Sequence, residues 1–238
     1  MVGAVHPPPT ARPLREINGP APGGPNDATL HPMASPALLH ATDLACSRGE
    51  RLLFEGLDLA LQAGEWLHVK GANGSGKTTL LRTLVGLSPA DKGRIEWCGH
   101  DIRDNPESYR RDFAYLGHPA ALKDDLTAVE NLRVALEIDE VAVDEIALDA
   151  ALQRMNLDDR RDLRARQLSA GQRRRLLLAR LLVRPARLWV LDEPFAPLDA
   201  ASVETLGGLL QAHLDRGGIG VITSHQSVPL PPSREIAL

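Results

Sequence analysis

A chain of 238 residues can bury one sizeable core and leave room for a small appended subdomain. Its formal net charge of −4 gives no sign of a nucleic-acid partner or of a polybasic membrane-binding protein. No apolar run approaches the ~20 residues needed to cross a bilayer, so work at a membrane would need spanning helices from another chain.

Residues 1–36 are rich in Pro, Ala and Gly, as in Pro7-Pro8-Pro9 and Pro20-Ala21-Pro22-Gly23-Gly24-Pro25, and carry no apolar periodicity. Such a stretch buries too little surface to offset its ordering entropy and is expected to be disordered. It lacks the continuous apolar region of a signal peptide. Met33, just ahead of the first predicted strand, is a candidate native start. From about Ala37, strands are predicted over Leu38–Leu44, Leu52–Phe54, Leu57–Leu61 and Trp66–Lys70, followed by a helix over Thr79–Val85. Short strands over Arg94–Cys98 and Phe113–Leu116 come next. Apolar residues then recur at helical spacing over Ala128–Leu136 and Val143–Met155, so 122–167 reads as a helical insertion. Helix Gly171–Val183, strand Leu188–Leu191, helix Ala200–Leu214 and strand Ile219–Thr223 complete an alternating α/β core. The cysteines, Cys46 and Cys98, have no metal-type spacing and are read as reduced, buried thiols.

Between the fourth strand and its helix lies Gly71-Ala72-Asn73-Gly74-Ser75-Gly76-Lys77-Thr78, followed by Thr79. The run fits the phosphate-loop pattern G-x-x-x-x-G-K-[ST] in the strand–loop–helix setting that the motif requires. Its glycines permit tight curvature, so successive N–H groups face inward, and the helix N-terminus adds its positive end. Lys77 can then reach β- and γ-phosphates, and the Thr78 hydroxyl can hold Mg²⁺. The spacing predicts a nucleoside triphosphate site.

Leu168-Ser169-Ala170-Gly171-Gln172 opens a long helix, with Ser169 as the predicted N-cap. By composition this is a capped helix whose free N–H groups could bind an anion. Further on, Leu188-Trp189-Val190-Leu191-Asp192-Glu193 is a continuous apolar run ending in two carboxylates, as suits a central parallel strand with its ligand end outward. Asp192 is placed to hold Mg²⁺ through water, and Glu193 to polarise an attacking water as general base. Arg173-Arg174-Arg175 and Arg160-Arg161 are read as solvated faces rather than nucleic-acid contacts.

The order of these motifs resembles that of ATP-binding cassette (ABC) ATPases, with Leu168-Ser169-Ala170-Gly171-Gln172 at the place of the family's signature. The resemblance implies an α/β P-loop NTPase fold. Residues 37–238 would hold an ABC ATPase core, a mixed or parallel sheet with flanking helices and an N-terminal antiparallel β subdomain, plus a helical subdomain at about 122–183. It also implies a head-to-tail homodimer in which the signature of one subunit closes on ATP and Mg²⁺ held by the phosphate loop of the other. Ala196-Pro197-Leu198-Asp199 resembles the D-loop at that interface, and His225 in Thr223-Ser224-His225 matches the switch histidine at the γ-phosphate. Two positions depart from the family pattern. His118, in Tyr115-Leu116-Gly117-His118-Pro119, stands where a Mg²⁺- and water-sensing glutamine is usual. Arg48 stands where an aromatic residue usually stacks on adenine. A guanidinium can also stack on a base, so weaker adenine selectivity is expected.

Gly117-His118, Leu126-Thr127-Ala128-Val129-Glu130-Asn131-Leu132, the signature through Arg174, Leu188 through Phe195 and Ser224-His225-Gln226 are similar to the ATP-binding subunits of cytochrome c maturation systems, the CcmA type. The similarity runs from about Leu38 to the end of the chain. It implies an ATPase engine peripheral to the cytoplasmic face of the bacterial inner membrane, paired with a membrane subunit resembling CcmB and acting with CcmC and CcmE. The work done would be haem export or release of the haem-loaded chaperone. By analogy, His118 to Glu130 would dock on the membrane subunit, with Asp124-Asp125 read equally as a solvated turn. Two other functions compete: the ATPase of a different exporter, and a soluble ABC protein working on ribosomes or DNA. The second usually needs two cassettes in one chain or a long coiled-coil insertion, and neither is seen.

Overall fold

The computed structural model describes residues 38–117 and 122–238. The Pro-rich stretch, Met33 and His118 lie outside the described residues.

Two sheets organise the described residues. In the first, β1 (Leu39–Arg48) pairs antiparallel with β2 (Arg51–Leu61) and β4 (Lys92–Trp97), and β4 pairs with the short β5 (His100–Asp101). The two strands expected over Leu52–Phe54 and Leu57–Leu61 are one. Cys46 faces Phe54 and Leu44 faces Leu57, leaving Glu55 and Gly56 opposite Ala45 as a bulge. Gly56 takes the positive φ of 62° that lets the strand continue.

The second sheet is wholly parallel, in the order β6 (Phe113–Leu116), β7 (Leu188–Asp192), β8 (Ile219–Thr223), β3 (Trp66–Lys70), β9 (Arg234–Ala237). β7 and β8 are buried at every residue, as their unbroken apolar sequences require of central strands. Side chains alternate between the faces. Val69, Val190 and Val221 join a core with β1, β2 and helix α1 (Lys77–Leu84), while Trp189, Leu191 and Ile222 join a second core. That second core takes in α3 (Ala128–Ile138), α4 (Glu145–Arg154), α5 (Ala170–Val183) and α6 (Ala200–Asp215) through Leu132, Leu148, Leu178 and Leu210. Each fully buried leucine contributes about 1.5–3 kcal/mol of transfer free energy.

Helix α2 (Pro106–Asp112), β5 and β9 are absent from the sequence reading. The α2 start was legible: Asn105 accepts the Ser108 N–H at 3.0 Å, with Pro106 in the first turn. β9 is masked by Pro229, Pro231 and Pro232 just before it, and its edge position shows only in the fold. Two other expectations are corrected. Cys98 is exposed, not buried, because it sits in the β4–β5 turn with a φ of 51°. Arg174 does not lie on a solvated face: it is 5% exposed, since its helix presses that side against the end of β7.

Candidate functional site

Because the five strands of the second sheet are parallel, their carboxyl ends share one edge. The loops after β3, β7 and β8 therefore meet there. After β3 the chain turns through Gly71 (φ 149°), Gly74 (φ 79°) and Gly76 (φ 113°) into α1. A Cβ on Gly71 would lie 2.5 Å from Ser75 Oγ and 2.7 Å from the Leu238 carbonyl, so only glycine fits. No side chain caps α1, leaving its first N–H groups directed into the loop. Lys77 is buried and donates from Nζ to the carbonyls of Gly71 (2.7 Å) and Ala72 (3.1 Å). Ser75 Oγ is buried without a partner among the described residues.

Thr78 Oγ1 donates to Asp192 Oδ2 at 2.7 Å, which joins two of the three predicted metal residues across the loop and the end of β7; the third, His118, lies outside the described residues. Thr223, at the end of β8, donates from Oγ1 to Asp192 Oδ1 at 2.7 Å and accepts the Glu193 N–H at 2.9 Å. Glu193 has a φ of 49°, a left-handed conformation that costs a non-glycine residue roughly 1–3 kcal/mol. The turn aims its carboxylate across the site, where Oε2 accepts the His225 N–H at 3.2 Å and Oε1 lies 3.5 Å from His225 Nε2. The His225 ring also lies 3.0 Å from Asn73 Oδ1 and 3.5 Å from Lys77 Nζ.

These groups face a cavity of about 520 Å³. Asn73, Gly74, Gly76, Lys77, Thr78 and Thr79 line it from the loop, and Asp192, Glu193 and His225 from the strand ends. Arg48 enters from the β1–β2 hairpin, together with Arg51 and Leu53, which the sequence reading missed. Arg48 and Arg51 are paired across the hairpin turn, so their proximity follows from the register. Thr223, which braces Asp192 and Glu193, was also missed; its signal was a hydroxyl one strand over from the acidic pair. A cavity of about 570 Å³ at the amino ends of β7 and β8, near Arg187 and Gly218, contains none of the predicted residues.

Leu168, Ser169, Ala170, Gly171 and Gln172 do not line the phosphate-loop cavity. Ser169 caps α5 reciprocally: its N–H donates to Gln172 Oε1 at 2.8 Å, and its Oγ accepts the Gln172 N–H at 3.2 Å. A Cβ on Gly171 would lie 3.4 Å from the Pro197 carbonyl, so this turn abuts the 196–199 segment. Asp124 and Asp125 are engaged by Arg173 (2.6 Å) and Arg166 (3.0 Å), which ties the segment before α3 to the start of α5.

Comparison with known proteins agrees with this geometry. The family model for ABC transporters matches residues 54–196. The chain is 47% identical over 204 residues to the cytochrome c biogenesis ATP-binding export protein CcmA of Dechloromonas aromatica, covering 84% of this chain and 100% of that protein. It is 50% identical over 202 residues to the protein of the same name from Aromatoleum aromaticum, covering 84% of this chain and 94% of that one. A solved ATP-binding subunit of an ABC transporter superposes with a TM-score of 0.70 at 28% identity, over 79% of this chain and 80% of that one. With its phosphate loop, the acidic end of β7 and His225 gathered around one cavity, this chain belongs to the ABC transporter family, among the CcmA-type ATP-binding subunits.

Proposed function

We propose that the protein is the ATP-hydrolysing subunit that energises a membrane transport complex in c-type cytochrome biogenesis. The observation that carries the chemistry is the convergence of Lys77, the Thr78–Asp192 pair, Glu193 and His225 on one cavity. In the nucleotide complex, the Lys77 ammonium exchanges the Gly71 and Ala72 carbonyls for β- and γ-phosphate oxygens, and the inward N–H groups cradle the remaining charge. Thr78 Oγ1 and Asp192 Oδ2 are hard oxygen donors of the kind that would hold Mg²⁺. Bound there, Mg²⁺ would neutralise charge on the β- and γ-phosphates. Glu193 accepts a proton as water attacks the γ-phosphorus. The bond to the β–γ bridging oxygen breaks, and ADP and phosphate leave. His225, held by the Glu193 carboxylate, donates toward a γ-phosphate oxygen.

The signature residues are absent from their own subunit's cavity, and they sit on an N-terminus without acidic neighbours in its first turn. Both features support a homodimer in which Leu168–Gln172 close on the partner's nucleotide. Residues 122–183, with α3 and α4 packed on α5, act as the helical subdomain. Their leading segment would dock on a CcmB-like membrane subunit, with CcmC and CcmE as further components and the ATPase on the cytoplasmic face. No helix among the described residues is long and apolar enough to cross a membrane. The pathway assignment rests on the relatives named above for cytochrome c biogenesis.

Hydrolysis and binding assays of the full chain test the chemistry. Lys77→Ala is expected to lose nucleotide binding. Glu193→Gln is expected to keep binding, lose at least ~100-fold in kcat and accumulate a closed dimer. Unchanged turnover in Glu193→Gln would refute the general-base role. Deletion of the gene should remove c-type cytochromes while sparing other haem proteins; normal c-type levels would overturn the pathway assignment.

A further inference from the structure

Arg174 lies about one turn into α5, past the Ser169 cap, and its guanidinium reaches the end of β7. Nη2 donates to the carbonyls of Asp192 (2.9 Å) and Glu193, and Nε donates to the carbonyl of Pro194 at 3.2 Å. A buried arginine ordinarily pairs with a carboxylate. Here the hydrogen bonds go to three consecutive backbone oxygens instead. Burial lowers the guanidinium's proton affinity, and the neighbouring Asp192 and Glu193 carboxylates counter that effect.

Three successive carbonyls can converge on one group only if the strand is broken out of its extended path, and Glu193 is the residue at positive φ that breaks it. The turn is gripped from two sides. Thr223 takes the Glu193 N–H and holds the Asp192 carboxylate, while Arg174 takes the carbonyls. The Glu193 side chain is what remains free to face the cavity.

We infer that Arg174 is a positioning residue for hydrolysis: it fixes the Asp192–Pro194 turn so that the Glu193 carboxylate stays aligned, and it joins that turn to the helix that carries the signature. The inference rests on the ATPase reading above and adds a residue to it. α5 starts at the surface that is to meet the partner's nucleotide and holds its own subunit's base about one turn later, so seating of the helix and alignment of Glu193 are one mechanical event.

The test uses the full chain with Arg174→Gln, Arg174→Lys, Glu193→Gln and the Arg174→Gln/Glu193→Gln double variant. Each is measured for Mg-ATP binding, steady-state hydrolysis and thermal unfolding. Arg174→Gln is expected to bind Mg-ATP within about twofold of wild type while kcat falls about tenfold or more, and Arg174→Lys to retain an intermediate kcat. In the Glu193→Gln background, Arg174→Gln is expected to cause no further loss, because the group it aligns is already gone. Three results would overturn the inference: a kcat within twofold of wild type, binding and kcat falling together with the melting temperature, or losses that multiply in the double variant. If neither Arg174 variant folds, the residue is structural and the inference fails. If Glu193→Gln itself hydrolyses normally, it is the ATPase assignment that fails.

Discussion

Lys77 shows how far a single residue can be read. Its place in a glycine-rich loop fixes its position by spacing alone, since the loop's curvature brings a lysine there over the Gly71 and Ala72 carbonyls. Asp192 and Glu193 were legible for a similar reason: carboxylates that end a fully apolar strand stand at its ligand edge. Arg174 was not. Three consecutive arginines look alike in sequence, and only the packing of α5 against β7 separates the buried one from Arg173, which pairs with Asp124, and Arg175, which donates to the Met155 carbonyl at 3.2 Å. Arg48 carries a prediction at this scale. With Arg51 it lines the cavity, and no Phe, Tyr or Trp lines it among the described residues, so we propose that a base would be held there by guanidinium stacking and charge. Competition binding is expected to place GTP within about tenfold of ATP, and Arg48→Tyr to widen the gap in favour of ATP. A wild-type preference for ATP beyond about a hundredfold would contradict this.

Helix ends were the most readable elements, because capping chemistry is local. Thr127 with Glu130, Ser169 with Gln172 and Asp199 with Ser202 all behave as their side chains dictate. Strand pairing was less readable. The Gly56 bulge fused two predicted strands, and β9 gains meaning only by adding to the free edge of β3. The segment before α3 owes its shape to Asn131, which is buried. Its Oδ1 accepts the Lys123 N–H at 2.8 Å, and its Nδ2 donates to the carbonyls of Lys123, Leu126 and Thr127. Asn131→Ala leaves several buried backbone groups unpaired and is expected to cost about 2–4 kcal/mol. Urea unfolding with intact Mg-ATP binding would show this, and a change below ~0.5 kcal/mol would mean the loop is held elsewhere.

At the scale of the molecule, one parallel sheet divides two cores and brings the loops after β3, β7 and β8 to a single edge. The opposite edge carries a pH-sensitive contact. His213 of α6 stacks on Trp189 at 4.0 Å and meets the Ile219 carbonyl at 3.1 Å, with Gly218 leaving room for its ring. Burial, more than the nearby Arg216, pulls its pKa below the ordinary 6.5. Between the lowered folded value and 6.5, the unfolded chain binds the extra proton, so stability falls as pH drops below 6.5. Urea midpoints between pH 7.5 and 5.5 are expected to fall less steeply in His213→Gln than in wild type; equal slopes would exclude His213 as a source of the acid limb. The amino-acid sequence was enough to define the phosphate loop, the acidic strand end, the Ser169 cap and the alternating α/β class, because each depends on neighbours within a few residues. The grip of Thr223 and Arg174 on the Glu193 turn, the entry of Arg51 into the cavity and the joining of β9 to β3 all link residues distant along the chain. Sheet order and helix packing set those contacts, and no local pattern encodes them.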